Sequence, residues 1–87
     1  MVLTFEEKEL IKTMCDLFVR ANGISQIKKI VLILEHIKQD DCTFTNMEEI
    51  KFIEQLCDTT MRSTGISSLE SVVKLLNKIV SDIPKKA

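Results

Sequence analysis

Apolar positions recur with the period of an α-helix along the whole chain. Over about 5–21, Leu10, Ile11, Met14, Cys15, Leu17 and Phe18 share one arc of a helical wheel, while Glu6, Lys8, Glu9, Lys12, Thr13, Asp16 and Arg20 fall mostly opposite. The second segment, about 26–39, turns Ile27, Ile30, Val31, Ile33, Leu34 and Ile37 to one side. The third, about 47–63, uses Ile50, Phe52, Ile53, Leu56, Cys57 and Met61. The fourth, about 68–83, has the cleanest stripe: Leu69, Val72, Val73, Leu76, Ile79, Val80 and Ile83. Nothing alternates with period two, so the pattern predicts four helices and no strands.

The helix ends carry their own signals. Thr4 with Glu7, Thr45 with Glu48 and Ser67 with Glu70 each fit the Ser/Thr-x-x-Glu capping box. Acidic residues open the helices (Glu6, Glu7, Glu48, Glu49) and basic residues close them (Arg20, Lys38, Arg62, Lys78), as the helix dipole favours. Pro84 predicts the end of the fourth helix, with Lys85, Lys86 and Ala87 fraying beyond it.

The chain also repeats itself. Gly23-Ile24-Ser25 returns as Gly65-Ile66-Ser67, an offset of 65 − 23 = 42 residues. At that offset Glu6-Glu7 matches Glu48-Glu49, Ile11 matches Ile53, Cys15-Asp16 matches Cys57-Asp58 and Arg20 matches Arg62. Leu34, Ile37 and Asp40 match Leu76, Ile79 and Asp82. Two unrelated amphipathic helices would agree at apolar positions, but not also at Cys-Asp, Arg and Gly-Ile-Ser in one register. The expectation is a duplicated hairpin, with repeats at about 4–40 and 45–83. In each turn the glycine takes a left-handed conformation and the isoleucine packs back, Ile24 on Val19 and Ile66 on Met61, as in a Schellman motif. Ser25 and Ser67 then cap the following helices. Residues 1–87 are read as one all-α domain, a four-helix bundle with pseudo-twofold symmetry. The alternative, a two-unit solenoid, falls short of the three repeats such stacks normally need.

Composition narrows the functional classes. A chain of 87 residues leaves a thin stability margin, which a 45% apolar content helps to offset. Trp and Tyr are absent, which weighs against base-stacking or carbohydrate-binding surfaces. The net charge is −1 with signs interspersed, unlike the footprint of a polyanion binder. The opening residues lack the features of a signal peptide, and the longest apolar run, Ile30–Leu34, is far too short to span a bilayer. Three cysteines without close pairing read as reduced thiols, so a cytoplasmic location is expected and no membrane association.

Candidate chemistry is sparse. His36, the only histidine, has no acidic or thiol companion on its own helical face and is expected at the surface. Cys15 and Cys57 lie inside the apolar arcs and read as core residues, while Cys42, in the connection Asp40–Thr45, is the thiol expected to be reachable. Asp16–Arg20 and Asp58–Arg62 are i,i+4 ion pairs. No catalytic, cofactor or metal site is expected. A helix-turn-helix reading is the alternative, because Gly-Ile-Ser suits such a turn. The helix after Gly65, however, begins Ser67-Ser68-Leu69-Glu70-Ser71 without an arginine, so nucleic acid is the weaker partner class.

The differences between the halves suggest where a partner binds. Leu17 and Phe18 stand where the second half has Thr59 and Thr60, and Leu32 where it has Lys74. Leu17, Leu32 and His36 form the candidate interaction patch. The function expected is a small non-enzymatic interaction protein (a regulator, inhibitor, adaptor or assembly factor) whose partner is another protein or a second copy of itself.

Overall fold

The computed structural model describes residues 2–81. Four α-helices are present there: α1 (Phe5–Asn22), α2 (Ile27–His36), α3 (Met47–Thr64) and α4 (Leu69–Ser81). Four-residue 3-10 turns, Gly23–Gln26 and Gly65–Ser68, join α1 to α2 and α3 to α4. No strand occurs among the described residues. The fourth segment's expected end at Ile83, the stop at Pro84 and the frayed Lys85–Ala87 lie outside them.

The start of α1 is the capping box that its sequence announces. Thr4 Oγ1 accepts the Glu7 N–H at 3.1 Å, and Glu7 Oε1 accepts the Thr4 N–H at 2.8 Å. The other two expected boxes are corrected. The N-cap of α3 is Asn46, not Thr45: its extended backbone lets Oδ1 take the Glu48 N–H at 2.8 Å. Ser25 and Ser67 sit inside the 3-10 turns and cap no helix that follows. Their hydroxyls donate backwards, to Asn22 O at 3.2 Å and Thr64 O at 2.8 Å, satisfying carbonyls left over at the end of the preceding helix.

Both glycines do take positive φ, but with an extended ψ in place of the helical one: 68°/−151° at Gly23 and 66°/−150° at Gly65. Each N–H still closes the helix behind it, Gly23 onto Val19 O and Gly65 onto Met61 O. The extended ψ then carries the next residue away from that helix. Ile24 and Ile66 are therefore 76% and 85% exposed, which corrects the expected Schellman contacts with Val19 and Met61.

The most extensive helix–helix contact joins α1 to α3; α2 packs on both, and α4 chiefly on α3. Ile11, Met14 and Cys15 of α1 and Ile53, Leu56 and Cys57 of α3 are buried, and Phe18 meets Phe52 edge-on at 5.2 Å between centroids. Thr60 is buried too, and its hydroxyl is satisfied by Leu56 O at 2.8 Å. From the flanks come Ile30, Ile33 and Ile37 of α2 and Val72, Leu75 and Ile79 of α4. Each fully buried aliphatic side chain contributes about 1.5–3 kcal/mol. Ile27, Val31, Leu69, Val73 and Val80, expected in the core, are instead 41–48% exposed. A flanking helix turns only part of its apolar arc toward the central pair, and the rest of the arc stays outside.

No atom lies within 4 Å of where a Cβ would stand on Gly23 or Gly65, so φ alone penalises substitution. Gly65→Ala or Gly65→Val should lower stability by about 1–3 kcal/mol without changing helical content. Urea denaturation checks this, and an unchanged midpoint would remove the turn assignment.

Candidate functional site

The connection between α2 and α3 is more structured than a loop of polar residues would be. Cys42 and Phe44 are both fully buried. The Cys42 Sγ lies 3.1 Å from Gln39 O and 3.6 Å from Ile37 O, so the expectation of a reachable thiol is corrected. The aromatic ring of Phe44 stacks on His36, with centroids 4.1 Å apart and planes 16° from parallel. Asp41 Oδ1 accepts the Thr43 hydroxyl at 2.6 Å and its N–H at 3.0 Å, which hold the Asp41 carboxyl well below its ordinary pKa.

His36 is the hub of this segment, not the surface residue expected. Its side chain is 18% exposed. Nδ1 lies 3.0 Å from Glu49 Oε2 and Nε2 lies 3.1 Å from Thr43 O. A carboxylate and a carbonyl only accept, so each ring nitrogen must donate for both bonds to form; an imidazolium does this and a neutral ring serves one. His36 therefore ties the end of α2 to the connection and to the first turn of α3.

A second contact has the same form. Lys78, in the last turn of α4, donates to Glu7 Oε1 in the first turn of α1 at 2.7 Å. His36 and Lys78 are 78 − 36 = 42 residues apart, as are Glu7 and Glu49 (49 − 7 = 42). Burial pushes the Glu7 carboxyl up, but hydrogen bonds from Lys78 and Thr4 and the Lys78 charge outweigh it, leaving a lowered pKa. A carboxyl with a depressed folded-state pKa stabilises the fold above its unfolded pKa, and that contribution is lost as pH falls through the folded value. The sequence held the signal for both contacts: the repeat offset places a base and a carboxylate at matching positions.

The other notable feature is an open groove of about 470 Å³ between α1 and α2. Cys15, Val19, Ile30, Val31 and Leu34 make its apolar surface, and Lys12, Asp16, Glu35 and Lys38 its charged edge. These charges are engaged along their own helices: Lys12 with Glu9 at 3.0 Å, Asp16 with Arg20 at 3.0 Å, and Glu35 with Lys38 at 3.3 Å. Exposed pairs of this kind contribute little to stability. Of the candidate patch, Leu32 is 62% exposed on α2 and Leu17 is half-buried on α1, while the His36 nitrogens are occupied as described. Val31, assigned to the core by its periodicity, is the exposed apolar residue lining the groove.

Cys15 and Cys57 are buried, as their positions in the apolar arcs imply. Burial raises each thiol from an ordinary 9.0 to about 11, with the Glu54 charge adding to the rise at Cys57. Among the described residues no group of three or more His, Cys, Asp and Glu side chains could hold a metal ion, and no helix is long and apolar enough to cross a membrane. No protein-family model, curated protein or solved structure matches the chain.

Two measurements check the site. His36→Ala and Glu49→Gln should each destabilise the protein by about 1.5–3 kcal/mol. The double variant should cost less than the sum of the two, and additive losses in a urea-denaturation cycle would contradict the contact. The thiols make an alkaline prediction, because a raised folded-state pKa stabilises the fold below the unfolded value. That contribution should decline from about pH 9 and be gone above about pH 11. Cys15→Ala with Cys57→Ala should flatten the decline, and an identical profile would contradict it.

Proposed function

We propose that the chain is a pair of duplicated helical hairpins, arranged about a pseudo-twofold as a four-helix bundle, and that it works by binding protein through its outer helical faces. Reciprocity supports the duplication. The first turn of α1 is tied to the last turn of α4, and the first turn of α3 to the last turn of α2, through residues at equivalent positions. Contacts of i with j and of j with i are what a twofold produces. Burial keeps the same register: Ile11 and Ile53, Met14 and Leu56, Ile33 and Leu75, Ile37 and Ile79 are buried in both halves.

The observation that carries the binding function is the apolar face left outside. Val31 and Val73 are 48% and 43% exposed at equivalent positions, each continuous with the core through a half-buried leucine, Leu34 or Leu76. Leu32 on α2 and Ile24 in the turn before it are exposed as well. Exposed leucines scattered singly are ordinary, but an apolar stripe running from the core to solvent beside a groove is the form of a contact surface. In this reading the protein is a non-enzymatic regulator, inhibitor, adaptor or assembly factor, and the groove between α1 and α2 is where a partner seats.

Leu32→Glu and Val31→Glu should leave helical content by circular dichroism unchanged while weakening self-association or partner capture at least about tenfold, the loss expected where a charge is forced into an apolar contact. Unchanged mass by light scattering together with unchanged captured partners would count against the surface. Binding to duplex DNA at low salt that both variants retain would favour the helix-turn-helix alternative instead.

A further inference from the structure

Of the two base–carboxylate contacts, only that of His36 is made of a group that responds near neutrality. Histidine changes charge between pH 5 and 8, whereas lysine stays charged throughout, so the Lys78–Glu7 contact is constant there. The His36 ring faces two acceptors, Glu49 Oε2 at 3.0 Å from Nδ1 and Thr43 O at 3.1 Å from Nε2, and it stacks on Phe44. All three neighbours favour a ring with two N–H groups and a positive charge. Glu49 is the charged group paired with this ring among the described residues. The other charges around the end of α2 are engaged elsewhere or face solvent. Glu35 pairs with Lys38 on the same helix, and Lys12 and Asp16 of α1, across the groove, pair with Glu9 and Arg20. Asp41 of the connection holds Thr43, and Asp40, Glu48 and Lys51 are exposed.

We propose that His36 is a proton-operated clasp on residues 37–46: the charged ring holds this connection in place, and loss of its proton to solvent releases it. A neutral ring has one N–H. The Glu49 carboxylate, a charged acceptor, takes it in preference to a carbonyl. Nε2 then turns a lone pair toward the Thr43 carbonyl at 3.1 Å, and two acceptors repel. That carbonyl regains a donor by turning to water, and the connection moves with it. The bonds between Asp41 and Thr43 lie within the connection and travel along. Phe44, next in the chain, loses the cationic ring on which it stacks. Release uncovers an aromatic ring and a thiol, because Phe44 and Cys42 are both fully buried while the clasp is closed.

Cys42 reports the release. Wild-type protein is pulsed with a maleimide at pH values from 5 to 8, and the label on Cys42 is assigned by peptide mass. Protection is the labelling rate of an unfolded peptide of residues 38–46 divided by that of the protein at the same pH, which cancels the ionisation of the thiol itself. It should fall at least about tenfold from pH 5 to pH 8, as the loss of one hydrogen bond to a charged group implies. Amide exchange at Ile53 and Leu56, corrected for intrinsic rates, should not change, which distinguishes release of the connection from unfolding. His36→Gln keeps a donor but cannot titrate, and its Cys42 protection should be independent of pH. His36 is the only histidine, so its ring proton shift can be followed in the wild type. That shift should share its midpoint with the loss of protection, so the outcome does not depend on the variant folding. Steady protection in the wild type, an equal fall in a folded His36→Gln, a fall shared by Ile53 and Leu56, or two different midpoints would each overturn the proposal.

Discussion

The rest of the molecule depends on the packing of α1 against α3. Together these helices supply Ile11, Met14, Cys15, Phe18, Ile53, Leu56 and Cys57 to a buried seam, and every other element is placed by leaning on it. Two long helices alone would be free to rotate about their contact. The shorter helices limit that freedom by filling the flanks with Ile30, Ile33, Ile37, Val72, Leu75 and Ile79, and each is fastened at its far end by a base reaching a carboxylate in the first turn of a long helix. The hydrophobic seam sets the order of magnitude of the stability, and the two polar contacts fix the arrangement of what surrounds it.

The two fastenings differ chemically although they are placed alike. Lys78 is a flexible single-point donor to Glu7. His36 sets its two nitrogens against two segments and stacks on Phe44, so it orders the connection as well as the helix end. The first half is followed by that connection, which gives its ring a backbone carbonyl at Thr43 and an aromatic face to meet.

Helical class, the four segments and the capping of α1 by Thr4 were legible in the sequence, because they depend on periodicity and on residues within one turn of each other. The positive φ of both glycines was legible for the same reason; the extended ψ was not, since it depends on where the next helix must go. The burial of Cys42 and Phe44 was hidden because neither belongs to a helical stripe, and only their spacing of two residues hinted that one side of the connection faces inward. His36 was misplaced by a search for partners on its own face, when its partners lie on the connection and on α3. Val31 and Val73 belong to the apolar arc by pattern and to the surface by packing. A helical wheel reports the width of an arc and not how much of it a neighbour covers.

The decisive measurement is a set of nuclear Overhauser contacts recorded on one folded sample, from the His36 ring protons to the side-chain methylenes of Glu49 and from the Lys78 ε-methylene to those of Glu7. The account predicts that both sets appear together. One set without the other, or a His36 ring that reports only solvent, would show that the halves are not fastened to each other reciprocally and would contradict it.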